Sequence, residues 1–400
     1  MMPPAPAGWK PVLAALKSGR AFWITTAVLL ILEGALSPVL PRLVPDTVYL
    51  RAYLPWQAVA QTRRFLNGEL DVIPDPALGW RNRPGHEYRN IRYDRHGSRS
   101  AGGLDPDAEK AQRVIFIGDS RTNGYTFVSN AETINAWMET GDVETLNLAT
   151  AFYGLDQMVL ALESAVDRFS PDAAVIGLGS DTGRLMEGHY IPFLAPNEYG
   201  MPFLKPRFRL APDGEETPIT PDPVRLLAGL PDTPELLAFL RDRDPMYPRF
   251  QSFQRWHCFP LIGLIAETGQ RLSHAMTGSA TAGGKDSPAE TASETAAFRA
   301  LIRRAEEIGR RNGVSVGFIL YPSLAEFLGE ERAAYDRAAA VLQSERAPFV
   351  DGLALLQQYR GPEDLYADDL HFTAAANRFM AAALSRTLVH PTGEEPVIAR

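Results

Sequence analysis

Short apolar runs recur along the chain from residue 114 onward: VIFIG at 114–118, TLNLA at 145–149, AAVIGLG at 173–179, VSVGFILYP at 314–322 and APFVDG at 347–352. Helical stretches separate them. Runs that are continuously apolar, rather than alternating with polar residues, belong to strands covered on both faces, so the pattern predicts an α/β domain with a parallel sheet. The helix expected at Glu294 to Asn312 ends in RRNG, basic residues and then glycine, just before the fourth strand. Between the third and fourth strands lie about 130 residues, far more than one crossover needs, which places an insertion at about 184–293. No internal repeat occurs.

The N-terminal pattern is different. Ala21 to Pro41 reads AFWITTAVLLILEGALSPVLP, with Glu33 as its one charge. As a helix this stretch would span about 31 Å, close to the hydrocarbon thickness of a bilayer. Residues 1–20 carry Lys10, Lys17 and Arg20 and no acid, so the positive-inside bias predicts a cytoplasmic tail at 1–20, a transmembrane helix at 21–41, and everything beyond on the extracytoplasmic, periplasmic side of a bacterial-type membrane. A cleaved signal peptide is the competing reading, although the small-residue cleavage pattern is poor around Glu33 to Ser37; a buried core helix would leave the basic leader without a role. Residues 42–108, rich in Pro, Arg, Asp and Tyr and without regular periodicity, read as an extended lead-in to a domain at 109–390.

Composition narrows the chemistry. The 400 residues are 45% apolar with a formal net charge of −8, so the chain is globular and has no overall basic field for nucleic acid. A single cysteine, Cys258, rules out an intramolecular disulfide and a cysteine metal cluster. The histidines show no ligand spacing, and no metal or cofactor is expected.

Ser120 follows directly on the run VIFIG, in Gly118-Asp119-Ser120-Arg121-Thr122-Asn123-Gly124. At a strand-to-helix turn a serine sits beside free backbone N–H groups and the positive end of a helix dipole, where an oxyanion is stabilised. The same residues also suit a plain helix N-cap, Asp119 included. A serine nucleophile needs a base, and of seven histidines His371 alone has an acid three residues before it. In Asp368-Asp369-Leu370-His371, followed by FTAAANRFMAAALSR, an acid one turn upstream can accept from Nδ1 and leave Nε2 free for the serine proton. Spacing favours Asp368 for that role, with Asp369 as the alternative. Gly154, in NLATAFYGLD, and Ser180-Asp181, at the end of the third strand, fall at the same sheet edge, where ligands gather in parallel α/β folds. Turn and N-cap duties account for them equally well one by one; their joint order is what points to a site. Within the insertion, Ile191 to Pro223, with KPRF and APDGEE, predicts a hairpin near the mouth of that site. Thr277 to Ser293, with almost no large apolar residue, reads as a mobile loop.

In this order of motifs, GDS at Ser120, the glycine block at Gly154, the third block at Ser180-Asp181 and DDLH at His371, the chain resembles the SGNH, or GDSL-like, serine hydrolase superfamily. The lead-in DPALGWRNRP and the stretch KPRFRLAPDGE look like a membrane-anchored branch associated with extracellular polysaccharide. The resemblance implies a flavodoxin-like three-layer α/β/α fold, Ser120 as nucleophile, His371 as base, Asp368 as orienting acid, and an oxyanion hole from the Ser120 and Gly154 N–H groups with a donor at Ser180. The chain departs from the superfamily at Leu178-Gly179-Ser180-Asp181, where Gly-x-Asn-Asp is usual, so a hydroxyl stands in place of a side-chain amide. The glycine usual after the DxxH block is also replaced, in AAAN, and no GxSxG elbow occurs. The expected activity is hydrolysis of acyl, above all acetyl, esters, with a cell-surface glycan as substrate. An O-acyltransferase with the same triad and a catalytically retired glycan-binding module are the alternatives.

Overall fold

The computed structural model describes residues 19–36, 59–99, 112–140, 142–194, 203–210, 216–229, 234–247, 288–359 and 364–389. In chain order the strands are β1 (Val72–Asp75), β2 (Gly79–Asn82), β3 (Glu87–Tyr88), β4 (Ile91–Arg92), β5 (Gln112–Gly118), β6 (Val143–Asn147), β7 (Ala173–Gly179), β8 (Arg207–Leu210), β9 (Glu216–Ile219), β10 (Ser315–Tyr321) and β11 (Phe349–Asp351). The principal helices are α1 (Gly19–Leu36), α2 (Val59–Leu66), α3 (Leu155–Phe169), α4 (Pro288–Asn312), α5 (Arg332–Glu345) and α6 (Ala374–Leu384).

The five apolar runs become one parallel sheet in the order β11-β10-β7-β5-β6. Counted along the sheet strands alone this is 2-1-3-4-5, the flavodoxin-like order, with its crossover point between β5 and β7. Alternate residues of a strand face opposite sides, and both sides are covered. Ile115, Ile117 and Ile176 join Leu162 and Val166 of α3 and Leu301 and Ile302 of α4 in one core. Val114, Phe116 and Val175 join Met380 and Leu384 of α6 in the other. The three layers are therefore as the pattern and the resemblance implied.

The N-terminal expectation is corrected in part. A helix does form, but it runs over Gly19–Leu36, 18 residues, or about 27 Å at the helical rise. Among the described residues no helix is long and apolar enough to cross a membrane. Arg20 and Glu33 lie within it, and residues 1–18 and 37–41 of the expected tail and span lie outside the described residues.

The lead-in is not an extended run. Residues 59–99 fold into α2, the antiparallel pair β1–β2 and the pair β3–β4, and they pack onto the parallel-sheet domain. Trp80 and Phe65 are completely buried. Trp80 Nε1 donates to Ala151 O at 3.0 Å and Tyr153 Oη donates back to Trp80 O at 2.5 Å. In the insertion, the expected hairpin is β8–β9. Of the stretch expected as a mobile loop, residues 288–293 are the first residues of α4, which starts six positions before the expected Glu294; residues 277–287 lie outside the described residues.

Candidate active site

Strand β5 ends at Gly118, and the chain turns at once into the helical turn Ser120–Asn123. Asp119 caps this turn by accepting from Arg121 N at 2.9 Å, and Gly124 closes it at φ 80°. The turn lies hard against the sheet. A Cβ at Gly118 or Gly177 would collide with Thr122 Oγ1, so neighbouring strands must both lack side chains there for Ser120 to take its place.

Ser120 and His371, 251 residues apart, meet. His371 Nε2 is 2.8 Å from Ser120 Oγ, and His371 Nδ1 is 2.9 Å and 3.0 Å from the two carboxylate oxygens of Asp368. Asp368 also accepts from the backbone N–H groups of Leu370 at 2.8 Å and His371 at 2.7 Å. Burial alone would raise its pKa; the Leu370 N–H, then the His371 ring and N–H, outweigh it and hold the carboxyl below its ordinary value. With Asp368 on Nδ1, Nε2 is the nitrogen that can take a proton. Thr373 caps α6 directly behind, accepting from Ala376 N, and this fixes the loop that carries His371. Of the two adjacent acids Asp368 bonds the imidazole, while the Asp369 backbone oxygen accepts from Leu324 N at 2.9 Å.

Asp119 and Asp181 clamp the side chain of Arg121, at 2.5 Å and 2.8 Å respectively. Arg121 is 4% exposed; burial opposes its charge, but the carboxylates of Asp181 and Asp119 prevail and raise its pKa. Asp181 is held below the ordinary carboxylate range because Arg121 outweighs its own desolvation. Both acids are thus structural partners of a buried guanidinium that ties the end of β5 to the end of β7. Gly154 N–H bonds Gln157 Oε1 at 3.2 Å as the cap of α3, and a Cβ there would press on the Leu185 backbone. Ser180 opens a short 3₁₀ turn and lines a separate crevice with Phe298 and Arg337, not the one that holds Ser120. The Arg121 guanidinium lies against Gly179 at the end of β7, next to Ser180. Of the three expected oxyanion positions, Ser120 lines the cleft with His371, Gly154 caps α3 and Ser180 lines the neighbouring crevice.

Ser120 and His371 open into a cleft of about 210 Å³ lined by Asp71, Val72, Tyr125, Phe127, Ala151, Phe152, Phe203 and Asp368. The Phe127 ring stacks on the His371 imidazole with centroids 4.7 Å apart and planes at 24°. Tyr125 and Phe152 both hold positive φ, 36° and 65°, a conformation that costs on the order of 1–3 kcal/mol per residue and concentrates where function fixes the backbone. Arg99, fully buried, holds the Tyr125–Phe127 segment: its guanidinium donates to Asn123 O at 2.8 Å, Tyr125 O at 2.5 Å and Val128 O. Asp71, Val72, Arg99, Tyr125, Phe127 and Phe203 carried no sequence signal. They reach the site from the lead-in, the insertion and the loop after Ser120. Among the described residues no group of His, Cys, Asp and Glu could hold a metal ion.

Neither a family model nor a curated protein matches the chain. Among solved structures it is similar to the lipase/acylhydrolase from Enterococcus faecalis, at 14% identity over 72% of this chain and 100% of that one, with a TM-score of 0.34. It is also similar to the psychrotrophic esterase EstA from Pseudoalteromonas sp., at 8% identity over 71% and 100%, TM-score 0.34. A third is a catalytic mutant of an acetylxylan esterase from Geobacillus stearothermophilus, at 12% identity over 73% and 99%, TM-score 0.33.

Proposed function

We propose that this protein is a serine hydrolase of the SGNH type that cleaves small acyl esters through an acyl-serine intermediate. The observation that carries the reading is the line of groups Ser120 Oγ, His371 Nε2, His371 Nδ1 and Asp368, with contacts of 2.8 Å and 2.9 Å. Ser120 Oγ attacks the ester carbonyl carbon as its proton passes to His371 Nε2; the bond to the alcohol oxygen breaks and that oxygen takes the proton from His371. Water then attacks the acyl carbon, gives a proton to His371 and releases the acid as Ser120 Oγ regains a proton. Asp368 stays ionised and orients the ring throughout. The Ser120 N–H is the oxyanion donor supported by position. Since loss of one donor typically costs about 10²–10³ in rate, a Gly154 N–H bonded to Gln157 and a Ser180 that lines the neighbouring crevice fit a slow enzyme, or one whose loops move when substrate binds.

The finer parts of the reading are an acetyl ester on a cell-surface glycan and a body held outside the cytoplasmic membrane. The first is supported by the small volume of the cleft, about 210 Å³ within its described lining. The second is supported by the basic leader and by α1, where Trp23, Ile24, Leu30 and Ile31 stand more than half exposed, an apolar surface that lipid would cover. Recovery of the full chain in the membrane pellet after alkaline carbonate washing supports anchoring; release into the supernatant removes it.

The decisive experiment for the chemistry is covalent labelling of the full chain with a fluorophosphonate probe. Labelling is expected in the parent and absent in Ser120→Ala and His371→Ala. A folded parent that does not label, yet binds glycan, would overturn the enzyme reading in favour of a binding module. Acyl transfer to an added sugar with little free acid would favour the transferase.

A further inference from the structure

The cleft contains a carboxylate that the reaction does not use. Asp71 lies immediately before β1, and its backbone oxygen accepts from Arg83 N at 2.8 Å, which pins it through the β1–β2 hairpin. It lines the same small cleft as Ser120. Its side chain makes no hydrogen bond or ion pair with another described residue. Burial raises its pKa above the ordinary carboxylate value, with its own backbone N–H and His86 pulling it back. A half-buried carboxylate that shares a cleft with a nucleophile and has no hydrogen-bond or ion-pair partner among the described residues recovers its desolvation cost when a ligand donates to it.

The rest of the wall says which donor. Tyr125, Phe127, Phe152 and Phe203 present aromatic surface, and among the described residues the lining includes two carboxylates, Asp71 and Asp368, and no Lys or Arg. That combination repels an anionic alcohol. It suits a neutral molecule with a C–H face for the rings and hydroxyls for the carboxylate.

We propose that Asp71 forms a hydroxyl-binding subsite that takes hydrogen bonds from the alcohol portion of the ester, so that the substrate class is an acyl ester of a neutral polyol such as a sugar. The inference rests on the hydrolase reading and gives its substrate class. A substrate with its acyl carbon at Ser120 Oγ extends its alcohol side along the aromatic walls to Asp71, whose two oxygens accept from neighbouring hydroxyls. A hydrogen bond to a charged group is worth about 1.5–3 kcal/mol, or about 10- to 100-fold in binding.

The test uses the full chain in detergent micelles. The parent and Asp71→Asn are compared on mono-O-acetyl glucose, 4-nitrophenyl acetate and acetylcholine, with thermal melting to verify folding. Asp71→Asn is expected to lower kcat/KM on the sugar ester at least about tenfold more than on the aryl ester, chiefly through KM. Equal losses on both, or no loss on the sugar, overturn the subsite. A greater loss on acetylcholine than on the sugar would make Asp71 a cation site and equally overturn the hydroxyl reading. Binding of mono-O-acetyl glucose by calorimetry, comparing Ser120→Ala with Ser120→Ala/Asp71→Asn, tests the subsite without turnover and is expected to weaken by about tenfold or more. Intact probe labelling with unchanged sugar binding sinks the subsite alone; absent labelling with Asp71-dependent sugar binding sinks the hydrolase reading alone.

Discussion

At the scale of single residues the arrangement hangs on how two carboxylates are used. Asp368 is partly exposed, accepts from two backbone N–H groups and orients His371. Asp368→Asn keeps the volume but offers Nδ1 an amide, which can leave the proton on the wrong ring nitrogen. The expected outcome in steady-state kinetics is a fall in kcat of about 10²- to 10⁴-fold with the fold retained; a fall below fivefold would show that the ring is oriented by something else, the Phe127 stack being the alternative. Asp181 matters by a different route. It and Asp119 neutralise Arg121 at 3% side-chain exposure, and Arg121→Met would strand two carboxylates beside the nucleophile turn. Removing one partner of a buried pair costs about 3–5 kcal/mol, so urea unfolding should show a loss of that order; a loss below 1 kcal/mol would mean that the acids rehydrate freely. The pairing of Ser120 with His371 was legible because an acid at i−3 is a local pattern. The Arg121 clamp was not, because its second acid lies 60 positions away and neither end is periodic.

At the scale of elements, the lead-in is where sequence and structure part. Its strands are two to four residues long, too short for period-two alternation to register, and its stabilising contacts reach about 70 positions along the chain, Trp80 to Ala151 and Asn82 to Ala149. Trp80 stacks on Phe203 of the insertion at 4.6 Å and meets Tyr153 edge-on at 5.6 Å, so one side chain joins three segments. Trp80→Ala should cost about 3–5 kcal/mol, and because the joined segments also wall the cleft, esterase activity and stability should fall together in one cooperative transition. Two separate calorimetric transitions, with the sheet domain unaffected, would show that the lead-in does not pack cooperatively onto it.

For the molecule as a whole, the insertion is seated by buried ionisable groups that tie its stability to pH. Lys205 and Asp156 pair with no exposure, burial pushing both toward neutrality and each opposing that for the other. His189, also fully buried, is lowered to about 3, first by desolvation, with the Lys205 carbonyl opposing and the Lys205, Arg207 and Arg243 charges adding to it. Between the ordinary value of 6.5 and that value the unfolded chain holds a proton that the folded chain lacks. Stability from this group is therefore complete above pH 6.5 and declines as pH falls through the window, at a slope approaching about 1.4 kcal/mol per unit. His189→Gln should flatten the decline in urea unfolding between pH 7 and pH 5 relative to the parent; parallel curves would show that His189 does not remain neutral on folding. By itself the sequence determined the parallel α/β layers, the strand positions to within a few residues, the Ser120–His371–Asp368 set and the existence of an insertion, because each of these is written in local periodicity or in spacing within one turn. Tertiary structure alone decided that the lead-in contributes to the wall of the cleft, that Arg121 is clamped between Asp119 and Asp181, that Gly154 serves a helix cap, and that Asp71 lines the same cleft as the nucleophile. Those outcomes depend on which distant segments compete for the same volume at the carboxyl end of the sheet, a competition that no short window of residues contains.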